Sequence, residues 1–395
     1  MVCVGGHCEA SMYNIKQYVK WYINPYLVVL GPAGGIPAVG AFLTLNFHFF
    51  FIMAKKDSLK TVQDLLQVYG DSKPVEFVSS GIDVLDSLWG GGVPLGYMAI
   101  LWGVPGTGKS TLAAQVCRSF CRQGHKVAYL DSERALNSLQ KDSFGLSGFE
   151  SEGLFIHLKT ADYRELEQQV KVLSESDVKL VVVDSVSQIE AWADKDVSLT
   201  DMQIGVKARQ QGFVLPRMKS WFADAGISSI LLFHARANFN TGGAWGAPTT
   251  KQDGGFVAQH VPDIITKLGI GGLVKEKQAD GTEVPIGAHL YIECEKNKFG
   301  FTRRKFIEKL IYGVGISKRI SLLDRALASG VISRSGNTYS LPWGDKYIGI
   351  QKLYDMPTEQ VRRLDNFIKS DGASEQMSVL PTGIVVDSDG VVVND

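Results

Sequence analysis

An excess of charge is the first thing missing from this sequence. Its 41 Lys and Arg are matched by 41 Asp and Glu, giving no formal net charge at pH 7. A nucleic-acid partner therefore cannot be argued from overall basicity; local patches have to carry it. Cysteines are few as well. The five, at positions 3, 8, 117, 121 and 294, make no even, evenly spaced framework, which argues against a disulfide scaffold and for a cytosolic interior. Cys117 and Cys121 lie one helical turn apart without a companion Cys or His pair, so they read as reduced, packed thiols rather than a metal site. With 45% hydrophobic residues over 395 positions, the chain can bury a large core, and one big domain with appendages is expected.

Residues 1–52 do not match the rest. No Lys, Arg, Asp or Glu occurs from Tyr26 to Met53, and the segment ends in a Phe-rich run over 47–53. The length suits a membrane span. However, Gly31-Pro-Ala-Gly-Gly-Ile-Pro37 breaks a helix early and leaves only a short apolar run. No small-residue cleavage site follows, so a signal peptide fits poorly. Met53-Ala-Lys-Lys-Asp57 reads as an ordinary cytosolic start. The first 52 residues are therefore expected to be an upstream extension or arm outside the mature protein, not an anchor.

What is there is organised around Gly103-Val-Pro-Gly-Thr-Gly-Lys-Ser110, which fits G-x-x-x-x-G-K-[ST]. An apolar strand-like run, 97–102, precedes it. Thr111–Phe120 follows with Leu112, Val116 and Phe120 on one helical face. Strand, glycine loop and helix make a phosphate cradle, because Gly103, Gly106 and Gly108 let backbone N–H groups converge on an anion at the positive end of a helix. Val104, Pro105, Thr107 and Thr111 complete the nucleotide-binding set. Lys109 is expected to neutralise the β- and γ-phosphates, and Ser110 to ligate Mg²⁺.

A short amphipathic helix is expected over 58–69, then a linker, then a helix around Ile82–Trp89 closed by Gly90–Gly92. Past the loop, strands at 126–131, 154–158, 179–185 and 227–233 alternate with helices at 163–174 and 206–225, Gly212 and Pro216 interrupting the second pattern. Continuous apolar strands separated by helices predict a mostly parallel α/β sheet covered on both faces. Ligands bind such sheets at the C-terminal strand ends, which here carry Gly103, Asp131 with Glu133, Asp184 and His234. Further strands are expected at 263–268, 288–295 and 306–312, and the aperiodic, glycine-rich 238–255 is expected to be a long loop, functional or disordered. Residues 317–371 are read as a small module of helices, and 373–395 as a mobile tail.

Asp184 ends its strand, where an acid can hold Mg²⁺ through water beside Ser110; an N-capping aspartate is a compatible alternative. Glu133 is placed to polarise the attacking water, with Asp131 as its rival or second partner.

These residues resemble a RecA-type recombinase, of a divergent bacteriophage kind, from about Val78 to about Leu341. Besides the loop, the resemblance rests on Asp131-Ser-Glu-Arg-Ala-Leu136, Val183-Asp-Ser185, Asp201-Met-Gln-Ile-Gly-Val-Lys-Ala-Arg209, Glu295-Lys-Asn-Lys298 and Tyr312-Gly-Val-Gly-Ile316. It implies a RecA-like P-loop ATPase core over 76–316, a short N-terminal helix and linker over 53–75 and a small C-terminal domain over 317–372. It also implies a cytoplasmic, DNA-dependent ATPase using ATP and Mg²⁺, in a bacterial cell or phage-infected host. Such a protein forms helical filaments on single-stranded DNA with ATP between copies, and pairs it with homologous double-stranded DNA. Single-strand-binding and mediator proteins are the further partners implied; no membrane is.

Carried over by position, Glu133 matches the catalytic glutamate. His234 matches the strand-end residue, usually Gln, that senses the γ-phosphate; its charge would make signalling pH-sensitive. Arg209 matches a DNA-contacting arginine after a first DNA loop (about 192–203), and Arg217 lies one residue out of register with a second. Trp245, with Gly254 and Gly255, resembles the second DNA loop. Lys296 and Lys298 match the pair that reaches the neighbouring copy's ATP, and Tyr312 is placed to position the base. Asn137 and Gln140 stand where the family often has an Asp and a Tyr against adenine. The lysine motif also resembles RadA/Sms-type branch-migration ATPases, so a hexameric RadA- or DnaB-like helicase is the alternative, although Cys3 and Cys8 alone cannot form the zinc finger of the former.

Overall fold

Runs of consecutive apolar residues become the centre of one sheet. The computed structural model describes residues 74–192, 205–238, 249–278, 281–300 and 302–370, with two further two-residue strands, β16 (Val385–Val386) and β17 (Val392–Val393). The expected helix at 58–69 and the extension lie outside the described residues. Two short strands, β1 (Phe77–Val78) and β2 (Val93–Pro94), flank α1 (Asp83–Trp89), which Gly90 closes in the left-handed region. Then come β3 (Met98–Gly103), α2 (Lys109–Arg122), β4 (Lys126–Asp131), α3 (Ser138–Phe144), α4 (Ser147–Ser151), β5 (Phe155–Lys159), α5 (Tyr163–Ser174) and β6 (Val178–Asp184). After a 3₁₀ turn at Val186–Gln188, the chain forms α6 (Val206–Ala225), β7 (Ser228–Asn238), β8 (Thr249–Gln252), α7 (Gly255–His260) and β9 (Ile264–Lys277). β10 (Glu283–Asn297), β11 (Lys305–Ile311) and β12 (Gly315–Ile316) complete the sheet.

Its order is β5-β4-β6-β7-β3-β9-β10-β11-β12, with β8 folded back on the end of β7. The six strands from β5 to β9 run parallel, and β10 to β12 add an antiparallel margin. The parallel strands are apolar on both faces, and their alternation splits the core in two. Leu101, Val127, Leu180 and Leu232 meet Leu112, Val116 and Phe120 of α2. Ile100, Leu130, Val181 and Leu231 meet Leu166 of α5 and Leu215, Met218 and Phe222 of α6. Each of these large side chains, fully buried, contributes about 1.5–3 kcal/mol. The face packed on α2 matters for function. Continued at period two, it carries Asp131, Asp184 and His234 at the strand tips.

The helix expected over 206–225 is present with those bounds, and two other expectations are corrected. α6 runs unbroken through Gly212 and Pro216; the bond that Pro216 cannot donate would have gone to the Gly212 carbonyl, and the helix forgoes it. The strand expected to end at 268 continues to Lys277, forming a long hairpin with β10. Gly269, Gly271 and Gly272 break its apolar pattern, yet at Gly271 the gap is filled by Tyr291, whose ring would lie 2.5 Å from an added Cβ. The C-terminal module is not all helix. Between α8 (Lys318–Ala328) and the helices α9 (Ile350–Tyr354) and α10 (Thr358–Ser370) it holds an antiparallel sheet, β13 (Ser333–Ser335), β14 (Thr338–Ser340) and β15 (Lys346–Ile348). Strands of three residues are too short to show a period. Leu323, Ile332, Tyr339, Leu353 and Leu364 form the module's own core.

Candidate functional site

The loop after β3 is glycine-rich for visible reasons. A Cβ on Gly103 would lie 2.3 Å from the Leu268 carbonyl of β9, and Gly106 and Gly108 have φ of +80° and +79°. Gly108 is the N-cap of α2, so the loop's N–H groups and the positive helix end face the same space. Thr107 braces the loop by donating to Val104 O at 2.9 Å. Lys109 is 6% exposed, and its Nζ donates to Gly103 O (3.1 Å) and Val104 O (2.9 Å). Burial pushes the Lys109 ammonium below its ordinary pKa, and nearby Asp184 and Glu133 pull it back up.

The register aligns the strand tips. His234 stands opposite Gly103, and Asp131 opposite Asp184. Asp184 is 5% exposed and accepts from the Tyr129 hydroxyl at 2.5 Å and from the Ser110 side chain. Burial raises its pKa; these two hydrogen bonds oppose the rise, and Glu133 and Asp131 add to it. A cis peptide joins Asp184 to Ser185. The Asp184 carbonyl accepts from Ser132 N (2.8 Å) and Glu133 N (3.4 Å), which seats the Glu133 turn beside it.

Glu133 Oε1 accepts from Ser185 Oγ at 2.6 Å and lies 2.8 Å from His234 Nε2. His234 and Glu133 are therefore in direct contact. His234 N donates to Ser187 Oγ at 2.9 Å, and its Nδ1 is buried with no partner among the described residues. Asp131, the rival carboxylate, is occupied elsewhere: it accepts from Ala135 N, Leu136 N and the ring of His157. The geometry leaves Glu133, not Asp131, beside the loop with an oxygen to spare.

These residues fit a divalent cation with a phosphate ligand. Two carboxylates, Asp184 and Glu133, act on one buried ammonium, that of Lys109, so added positive charge is stabilising there. Among the described residues there is no group of three or more His, Cys, Asp or Glu side chains able to hold a metal alone. Ser110 and Asp184 would supply two oxygens and leave the rest to phosphate and water, as Mg²⁺ prefers.

Asn137 caps α3, accepting from Gln140 N at 3.0 Å while Gln140 Oε1 accepts from Asn137 N at 3.3 Å. This reciprocal box gives both residues a local role that the sequence pattern Asn-x-x-Gln could have disclosed. The turn of Tyr312 lies against the same helix, Ser143 Oγ donating to Gly313 O at 3.2 Å, with the Tyr312 ring exposed. Gln115 of α2 clamps Ile316 at both its N–H and its carbonyl, each at 3.0 Å, which no sequence signal announced.

Arg209 is exposed on the first turns of α6, with no side-chain partner among the described residues. Its neighbour Gln210 bonds both backbone groups of Trp192, which fixes where the first loop leaves the fold. Arg217 lies two turns further along and pairs with Glu167 at 2.5 Å, so the structure gives it a salt bridge between α6 and α5. Trp245 lies outside the described residues. Gly254 has a packing reason to be glycine, since its added Cβ would meet Gln211 and Phe233 at 2.6 Å; Gly255 has φ +58° and open space around it.

Lys296 and Lys298 are not brought to the loop. Lys296 Nζ donates to the carbonyls of Gln259 (3.1 Å) and His260 (2.9 Å), and Lys298 pairs with Asp263 at 2.7 Å. Asp263 also takes Lys219 (2.7 Å) and the Met98 N–H (3.1 Å). Lys296 is paired with Ile265, near the start of β3, whereas Leu268 is paired with Gly103 at its end. The lysines and the loop thus occupy opposite ends of the sheet.

Fold and loop together define a P-loop nucleotide-binding core with a RecA-like sheet. The family model described as the RecA N-terminal domain matches residues 59–317, and the chain belongs to that family. It is 29% identical over 281 residues to the protein named RecA of Fusobacterium nucleatum, covering 70% of each chain. It is 26% identical over 278 residues to RecA of Borreliella afzelii, covering 70% of this chain and 73% of that one. RecA of Tropheryma whipplei is 27% identical over 276 residues, 70% of this chain and 60% of its own. Among the described residues, no helix is long and apolar enough to cross a membrane.

Proposed function

We propose that this chain is a DNA-dependent ATPase that polymerises on single-stranded DNA, hydrolyses ATP between neighbouring copies, and pairs the bound strand with homologous duplex. The observation that carries this reading is the separation of the loop, at the C-terminal end of β3, from Lys296 and Lys298, held near the N-terminal end of that strand. Two lysines held on one rim, and a phosphate loop on the other, make complementary halves of one site for successive copies.

In that site Lys109 and the loop N–H groups hold the phosphates. Ser110, and Asp184 through water, would hold Mg²⁺, which would neutralise charge at the phosphate oxygens. Glu133 accepts the proton of the attacking water, with Ser185 and His234 fixing its orientation. His234, on the strand that itself leads towards Trp245, ties the state of Glu133 to the DNA side. Arg209 meets the backbone of the strand, and Trp245 stacks on a base, a contact that contributes about 1–3 kcal/mol. The core is read as 76–316, with 317–372 as a separate small domain.

Phosphate release with and without single-stranded DNA, and micrographs with DNA and a slowly hydrolysed ATP analogue, test the proposal. Release should rise on adding single strands, and helical filaments should form. Unstimulated release together with closed rings would overturn it.

A further inference from the structure

The glutamate read as the general base stands on a turn with a demanding backbone. Arg134, beside Glu133, has φ +55°, a left-handed conformation that is strained for a non-glycine residue and persists only where the surroundings impose it. Asp131 imposes it. Its Oδ1 accepts from Ala135 N at 3.3 Å and its Oδ2 from Leu136 N at 3.0 Å, so the carboxylate pins the far end of the turn. Asp131 is 2% exposed, and the remaining contact that orients it comes from β5, where His157 Nε2 lies 3.3 Å from Oδ2. Against a carboxylate that nitrogen carries the proton and donates.

His157 shares its strand face with buried Phe155 on one side and exposed Lys159 on the other. The register sets it directly opposite Tyr129, and the two rings meet edge to face with centroids 6.4 Å apart. Tyr129 in turn donates to Asp184. One imidazole therefore touches the supports of both acids at the site, without touching either acid or the loop.

We infer that His157 is a positioning residue for hydrolysis: by donating to Asp131 it holds the 132–136 turn, and with it the Glu133 carboxylate, in place. The inference rests on the reading of Glu133 as general base. Without the donor, the buried Asp131 carboxylate can rotate off Leu136 N. The turn then relaxes from its left-handed residue and carries Glu133 away from the loop. Misplacement by about 1 Å can cost on the order of 100-fold in rate.

The test uses the full chain carrying His157→Leu, His157→Gln, Glu133→Gln, and His157→Leu combined with Glu133→Gln. DNA-stimulated kcat and KM, the Kd for a fluorescent ATP analogue, and thermal melting are measured for each. His157→Leu should lower kcat by about 10- to 100-fold and leave nucleotide Kd near wild type. His157→Gln, whose amide can donate to Asp131, should recover most of the rate. In the Glu133→Gln background His157→Leu should cost nothing further, because its effect runs through Glu133. Unchanged kcat, a lost nucleotide affinity, or a rate loss that multiplies with Glu133→Gln would overturn the inference. If Glu133→Gln alone turns over like wild type, the general-base reading itself has failed. Should His157→Leu not fold, His157→Gln and the shorter His157→Asn carry the same comparison, and equal rates for those two would overturn it.

Discussion

Two carboxylates two residues apart have been given different work by their partners. Asp131 spends its oxygens on the backbone of the following turn and on His157, while Glu133 faces Ser185, His234 and the phosphate loop. The sequence favoured Glu133 for water activation, with Asp131 as its rival; what it could not show is which side chain the turn consumes. With the contacts known, Glu133→Gln has a definite expected outcome. The amide keeps the shape and can still accept from Ser185, but it cannot take a proton. Nucleotide should bind, hydrolysis should fall by about 10²–10⁴-fold, and the DNA complex should persist longer, since turnover releases it. Phosphate release and strand-dissociation rates check this, and near-normal turnover would move the base elsewhere.

At the scale of elements, the six parallel strands were legible because each is an apolar run bounded by turn residues, and α2 and α5 because their apolar spacing is helical. The strand tips followed, and with them Gly103, Asp131, Asp184 and His234. Less was legible where a partner far along the chain decides the conformation. The long β9–β10 hairpin depends on Tyr291 filling the space over Gly271, and the β13–β15 sheet on pairings between three-residue strands. The same holds for the junction between β11 and α8. There Glu308 is buried and accepts from Ser321 Oγ at 2.9 Å, with Arg325 of α8 paired to Asp83 of α1 at 2.7 Å. Burial pushes the Glu308 carboxyl up to about 7 from an ordinary 4.5, against the Ser321 hydrogen bond. The folded state thus holds this proton more tightly than the unfolded chain does. Its contribution is complete below about pH 4.5 and is lost as pH rises through about 7. The difference between about 7 and 4.5 amounts to roughly 3 kcal/mol. Glu308→Gln, neutral at every pH, should therefore gain on wild type as pH is raised from 5.5 to 8. Paired thermal melts measure this, and parallel melting curves would refute it.

At the scale of the whole molecule, the phosphate loop lies at the C-terminal end of β3 and the lysine pair near its start, and on the proposed reading a second copy completes the site. Lys296→Ala with Lys298→Ala should leave nucleotide binding by the isolated chain nearly intact. Lys219 and the Met98 N–H remain on Asp263, so the start of β9 keeps its anchor. DNA-stimulated hydrolysis should collapse, because two positive charges facing the phosphate's developing charge are gone. Lys109→Ala should be inactive for the opposite reason, its lysine pair intact and its own loop disabled. Mixing the two proteins discriminates between arrangements. Where a copy with an intact loop sits beside a copy with intact lysines, one working junction is rebuilt, and partial ATPase should return in proportion to such junctions. If the lysines served their own chain's loop instead, no mixture would contain a complete site. Absence of recovery at every ratio, with both proteins shown to co-assemble on the same DNA, would therefore dispose of the shared site and of the filament reading built on it.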